Sequence, residues 1–343
     1  MKMDKESFKE IVRGKETGFH IIENNRIRAA ITSYGARIVA LWVKNKKGHE
    51  TDVVVGFDSI RGYLRSTETY YSAIIGRYAN RIARGRFSLN GKVHQLSINN
   101  EPNHLHGGPF GFHNQVWDFD ELTASTARLS YFSEDGEENY PGNLKVTVTY
   151  YLSDNGIVIS YEATTDQTTI INLTSHPFFN LNGQGSGTIC DHVLQIDADH
   201  YNPVDEALIP TGIDHVESTP FDFRKPARIN EKMDEQNQQL KYGHGYDHNM
   251  VLNGNGFRKV AEVKGNLSGI VMEVHTDQPG MQLYSGNYMK GENAVKYGHL
   301  DKYREAFCLE TQHFPDAPNQ PAFPSTKLEP GQVFTSKTEY RFS

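Results

Sequence analysis

"LKVTVTYYLSDNGIVISYEATT", residues 144–165, reads as two strands and the turn between them. Val146, Val148 and Tyr150 alternate with Thr147 and Thr149, the period of two that sends successive side chains to opposite faces of a sheet. Asp154-Asn155-Gly156 interrupts the run where a hairpin needs positive φ. A strand with one apolar and one wetter face belongs to an antiparallel sheet packed on one side.

The same pattern recurs outward from this hairpin. It appears in "IRAAITSYGARIVALWV" (27–43), "GRFSLNGKVHQLS" (85–97), "ARLSYFS" (127–133) and "GMQLYSGNY" (280–288), with Asn90-Gly91 marking a second hairpin turn. Helical signals are confined to "DKESFKEIV" (4–12) and "INEKMDEQNQQL" (229–240), both short. No βαβ alternation, internal repeat or linker is visible, and strand-like sequence resumes at residue 331 after the proline-rich loop 314–325. The expectation is one all-β domain spanning 1–343, a large antiparallel sandwich with few short helices.

A chain of 343 residues can bury a substantial core without staples. Its net charge of −7, with no lysine- or arginine-rich run, disfavours nucleic acid and anionic membrane as partners. Cys190 and Cys308 supply neither a disulfide framework nor metal-ligand spacing. The first residues lack the apolar core of a signal peptide, and no run approaches a membrane span, so a soluble cytoplasmic protein is expected. "GQGSG" (183–187) and "GNG" (254–256) are glycine turns rather than phosphate-binding loops, so no nucleotide cofactor has a seat.

Side chains able to do chemistry are scattered. "EPNHLHGGPFGFHNQ" (101–115) holds His104 and His106, which on a strand would share a face as metal ligands often do; a polar loop with solvated imidazoles is the alternative. In "INLTSHPFFNL" (171–181), His176 precedes Pro177, which forces its backbone extended, and it reads either as a core histidine or as a general acid. Asp247 in "YGHGYDHNMVL" (242–252) has the ordinary role of capping a turn. Most of the arginines in "IIGRYANRIARGRFSL" (74–89) should be exposed, while Asn80-Arg81 offers a fork for hydroxyls or a carboxylate. Glu310 follows Phe307, Cys308 and Leu309 at the end of an apolar strand, where a carboxylate is rare unless paired.

Taken in order, "DVVVGFDSIRGYL", "IIGRYANRIARGRFSLNGK", "EPNHLHGGPFGF", "NLTSHPFFNLNG", "TPFDFRKP", "YDHNMVL", "QPGMQLYSGNYM" and "CLETQHFPDAPNQPAFPS" resemble the aldose 1-epimerase (galactose mutarotase) family from about residue 20 to the C-terminus. The resemblance implies a galactose mutarotase-like supersandwich with an open carbohydrate cleft. It implies interconversion of the α and β anomers of a free aldose, by a monomer or homodimer, with no cofactor and no metal. By motif, Glu310 corresponds to the general base and His176 to the general acid, with Asn80, Arg81, His106, Asp247 and Gln282 as sugar-binding positions.

That chemistry suits those residue types. The C1 hydroxyl loses a proton, the ring oxygen gains one, the ring opens, C1–C2 rotates, and the transfers reverse. Low polarity is expected to raise the basicity of Glu310, and a nearby carboxylate to favour protonated His176, the two flanking one pyranose from opposite sides. Phe178 stands where the family commonly has Tyr, Pro177 stiffens the same turn, His104 replaces a small polar residue, and Ser72 a glycine. These departures bear on which aldose is preferred. A glycoside hydrolase pairing Asp247 with Glu310, a non-catalytic sugar-binding module and a sugar-phosphate epimerase are the alternatives.

Overall fold

A computed structural model describes residues 3–45 and 47–343. The 144–165 hairpin forms inside a nine-stranded antiparallel sheet, although Asp154, Asn155 and Gly156 do not take the positive φ expected of its turn. The strand order is Asp118–Leu122, Thr126–Ser133, Leu144–Leu152, Gly156–Thr165, Phe334–Phe342, Val271–Thr276, Arg258–Lys264, Val193–Ile196 and Ala227–Arg228. The last strand of the chain is thus inserted mid-sheet, between the hairpin and Val271–Thr276.

Alternation decides which face is covered. Val146, Val148, Tyr150, Ile157, Ile159, Val274 and Tyr340 are all buried, and their intervening neighbours Lys145, Glu162 and Thr335 are exposed. Two smaller antiparallel sheets lie on the apolar face: one of four strands (Phe19–Glu23, Ile27–Thr32, Arg37–Lys44, Glu50–Asp52), and one of five (Asp214–His215, His200–Tyr201, Asp247–Val251, Gly280–Tyr284, Cys308–Gln312). Ile27, Ala29 and Ile31 of the first and Met250, Met281, Leu283 and Leu309 of the second share one hydrophobic core with the nine-stranded sheet. Each such branched side chain, fully buried, contributes about 1.5–3 kcal/mol. Polar stitches cross the core: Tyr150 donates to the Ala36 carbonyl at 2.6 Å and Tyr340 to the Leu309 carbonyl at 3.0 Å. The expected all-β antiparallel sandwich is therefore what the sequence builds.

Three local expectations need correction. Residues 4–12 hold only a 3₁₀ turn, Lys5–Phe8, before a short strand at Ile11–Val12; so short a segment cannot repay helix nucleation. The helix expected over 229–240 instead runs Gln238–Gly243, started by the Asn237 side chain accepting the Gln239 N–H at 2.8 Å. A second helix, Ile60–Arg65, begins at Ser59, whose hydroxyl accepts the Gly62 N–H. Among the arginines of 74–89, Arg84 and Arg86 are exposed as expected, but Arg77 is buried. Its guanidinium donates to the carbonyls of Ser133, Pro141 and Gly142, so backbone oxygens replace water around the charge.

Gly107 marks a close approach of two chain segments. At its φ of +83° a side-chain Cβ would stand 1.8 Å from the Gly76 carbonyl oxygen. Gly91, at φ +78° in its hairpin turn, faces open space. Replacing Gly91 with Ala should cost only the conformational penalty, about 1 kcal/mol, whereas Gly107→Ala should cost at least about 3 kcal/mol. Urea unfolding of the two variants checks this; equal costs would contradict the packing described.

Candidate active site

Strand register assembles the first half of the site. In the five-stranded sheet Asn249, Gln282 and Glu310 stand opposite one another on adjacent strands, and Asp247, Tyr284 and Cys308 form the next row. Residues two apart share a face, so Asp247, Tyr284 and Glu310 point away from the core that receives Met250, Leu283 and Leu309. Glu310 thereby ends up 2% exposed, on the second face of a strand buried on both.

His176 is delivered by a second antiparallel register. Phe179 and Phe307 exchange both backbone hydrogen bonds, at 2.8 and 2.9 Å. Stepping three residues back from Phe179 and three forward from Phe307 sets 176 opposite 310. The His176 N–H donates to the Ala73 carbonyl and its carbonyl accepts the Ser72 N–H, both at 3.0 Å, while its ring stacks on Phe178 at 5.0 Å. The imidazole Nε2 lies 3.4 Å from Glu310 Oε1. The two groups are therefore near neighbours in one hollow, not flanking walls on opposite sides of a sugar.

His106 arrives by the same device. The strand pair His104–Leu105 with Arg81–Ile82, extended by one residue, brings His106 against Asn80. The His106 N–H donates to the Asn80 carbonyl at 3.0 Å, and the Asn80 N–H donates to His106 Nδ1 at 3.1 Å. A backbone N–H can only donate, so Nδ1 carries the lone pair and the ring hydrogen of neutral His106 sits on Nε2. Ligand atoms of His106, His176 and Glu310 fall within 4.8 Å of one another. That tautomer gives His106 a donor where a metal ligand needs a lone pair, so the trio is built for hydrogen bonding rather than metal coordination. His104 is not on that face. Its ring nitrogens meet the Ser97 carbonyl at 2.6 Å and the Tyr140 hydroxyl at 2.7 Å, both away from the hollow, because His106 turns to a φ of +51°.

The hollow is lined by Asn80, Arg81, His106, His176, Asp247 and Glu310, as the sequence led us to expect, together with Glu68, Tyr70, Tyr284 and Tyr288. Gln282 is not on its wall; it stands behind Asp247 and donates Nε2–H to Asp247 Oδ1 at 2.7 Å. Tyr284 carried a legible signal, since it lies two residues beyond Gln282 on the same strand face. Glu68 and Tyr70 lie in an irregular loop and had none. Arg81, on the wall of the hollow, is anchored through Nε to Asn100 Oδ1 at 3.0 Å.

Electrostatics follow from burial. Glu310 is pushed well above the usual carboxyl range by desolvation first, then by the nearby Asp247 and Glu68 carboxyls, with Arg81 opposing. Desolvation drives His176 down to about 3 and holds His106 well below 6.5, aided by His176 and Arg81. Asp247 is raised by burial, against Arg81 and the Gln282 amide. The expectation that a carboxylate would keep His176 charged is thus reversed: loss of water outweighs attraction. Burial thus pushes both members of the pair toward their neutral forms, the Glu310 carboxyl upward and the His176 imidazole downward.

Residues 19–341 match the family model described as Aldose 1-epimerase. The chain is 45% identical over 324 residues to galactose mutarotase of Rattus norvegicus, covering 94% of this chain and 93% of that protein. It is 36% identical over 318 residues to aldose 1-epimerase of Escherichia coli K12, covering 91% of each. Among solved structures it is similar to a GalM/aldose epimerase homologue from C. elegans, with TM-score 0.88, 30% identity and 95% and 99% of the two chains covered. It is also similar to galactose 1-epimerase from Lactobacillus acidophilus, with TM-score 0.84, 30% identity and coverage of 97% and 96%. The chain belongs to the aldose 1-epimerase family.

Proposed function

We propose that this protein interconverts the α and β anomers of a free aldose such as galactose or glucose, acting in the cytoplasm as a monomer or homodimer and needing no cofactor. The observation that carries the reading is the 3.4 Å contact between His176 Nε2 and Glu310 Oε1. The anomeric and ring oxygens of a pyranose share one carbon, so a base and an acid that are close neighbours can reach both at once.

In the forward step Glu310, as carboxylate, takes the proton from the C1 hydroxyl while His176, as imidazolium, gives one to the ring oxygen. The C1–O5 bond breaks and a C1 carbonyl forms. Rotation about C1–C2 and the reverse transfers give the other anomer. The pair carries one proton before and after, so the cycle consumes nothing beyond the sugar itself. The donor Nε2–H of His106 and the Arg81 guanidinium suit oxygens that gain negative character; Asp247, steadied by Gln282, suits hydroxyl donors. A hydrolase would set a second carboxylate against Glu310, yet the group 3.4 Å away is an imidazole. A sugar phosphate would need more cations than Arg81, the one lysine or arginine on the wall among the described residues.

Glu310→Gln keeps the shape and removes the base. Turnover of a freshly dissolved single anomer, followed by polarimetry, should fall about 10²–10⁴-fold while sugar affinity changes less than about tenfold. Turnover within about tenfold of the parent contradicts the assignment.

A second check addresses protonation. Both rings titrate far below 6.5, so acidification should leave them neutral until the pH approaches about 3 for His176. Nitrogen-15 NMR of the free protein one unit below the ordinary imidazole value should show neutral His176, and neutral His106 with its hydrogen on Nε2. An imidazolium signal, or hydrogen on Nδ1 of His106, would be the contrary result.

A further inference from the structure

The hollow contains a charged group that the proton relay does not use. Glu68 lines it beside Tyr284, Tyr288 and Asp247, on a loop braced from two directions. Arg37, itself buried, donates to the Thr69 carbonyl at 2.7 Å and to the Tyr71 carbonyl at 3.1 Å. On the far side the Thr67 N–H donates to Asn293 Oδ1 at 2.9 Å, and Asn293 is held in turn by Asp301 at 2.6 Å. Glu68 Oε1 accepts the Tyr70 N–H at 2.9 Å. Its other oxygen receives no hydrogen bond from the described residues. Tyr70, next along the loop, packs its ring 4.6 Å from that of His106, so the loop and the proton relay are parts of one wall.

The charge around Glu68 is unbalanced. Three carboxyl groups, Glu68, Asp247 and Glu310, face one guanidinium, Arg81. Burial, with Asp301 and Asp247 adding to it, lifts Glu68 to about 7. A hydroxyl donor would satisfy the free oxygen with a charge-assisted bond. A second anion in the same space would be repelled by Glu68 and Asp247, with the Arg81 guanidinium alone on the wall to offset them.

We propose that Glu68 is a specificity-determining residue: its free carboxylate oxygen accepts a hydrogen bond from a hydroxyl of a neutral aldose, and its charge excludes aldoses that carry a carboxylate. The inference rests on the epimerase reading and narrows the substrate class to uncharged sugars. Because Glu68 is not part of the acid–base pair, its removal acts on binding and selectivity rather than on the proton transfers.

The test compares galactose with galacturonic acid at about pH 8, where Glu68 is mostly ionised. Anomeric exchange is measured for the parent protein, Glu68→Gln and Glu68→Ala. Gln retains an acceptor for the Tyr70 N–H, so the loop keeps its bracing. The parent should favour galactose at least about 100-fold in kcat/KM. In Glu68→Gln the galactose KM should rise about tenfold, with the change in KM rather than kcat, and galacturonate kcat/KM should rise at least about tenfold. Glu68→Ala should also gain galacturonate turnover. A selectivity ratio that moves less than about threefold in both variants overturns the proposal, as does equal use of both sugars by the parent. So does loss of galactose turnover without any gain on galacturonate. A parent that exchanges neither sugar would instead defeat the epimerase reading itself, which separates the two failures.

Discussion

A carboxyl group and an imidazole held 3.4 Å apart, both nearly cut off from water, form the constraint around which this molecule is arranged. Neither group would choose that position. Isolated buried charges cost several kcal/mol, and Glu310 Oε2 and His176 Nδ1 have no hydrogen-bond partner among the described residues. What holds them is backbone. The Phe179–Phe307 exchange fixes one register, the ladder from Asp247–Val251 through Gly280–Tyr284 to Cys308–Gln312 fixes another, and the two converge on the pair. The stability of the large core, not the interaction between the two groups, keeps them together. Unpaired buried polar atoms of this kind are rare in a folded chain and mark a place whose function, not its stability, explains them.

The same logic governs the rest of the wall. His106 has its tautomer chosen by the Asn80 N–H, so a backbone bond decides which ring nitrogen can donate into the hollow. Asp247 is aimed by Gln282, one strand away. Buried cations brace the surroundings: Arg37 spans the 69–71 loop and the His113 carbonyl, and Lys296 ties the Asp52 carboxylate at 2.8 Å to the Val54 carbonyl at 2.9 Å. Each positions a loop without touching the hollow. Burial lowers the histidines and raises the carboxyls together, because loss of water disfavours the charged form of each.

Much of this was legible in the sequence, for identifiable reasons. Strands announce themselves by alternation, and the turn at Asn90-Gly91 by positive φ, because both depend on nearest neighbours alone. Glu310 and His176 stood out as polar groups on apolar strands. The failures share a cause. Arg77 reads as exposed until four carbonyls distant in the chain surround it, and His104 pairs with Tyr140 through a fold contact no spacing encodes. Glu68 lies in "STETY" (66–70), an unremarkable polar stretch whose placement is fixed by Arg37 and Asn293 from elsewhere in the chain. The protonation of His176 was misjudged because attraction to a carboxylate is local and visible, whereas desolvation depends on the whole enclosure.

The claim at the centre is that one adjacent pair, sharing a single proton, serves both oxygens attached to the anomeric carbon. A crystal structure of the protein with a free aldose bound is the most direct measurement. It should find the anomeric hydroxyl within hydrogen-bond distance of Glu310 and the ring oxygen within hydrogen-bond distance of His176 in the same complex. A sugar seated in the hollow with its anomeric end toward solvent, or with only one of those two oxygens reached by the pair, would contradict it.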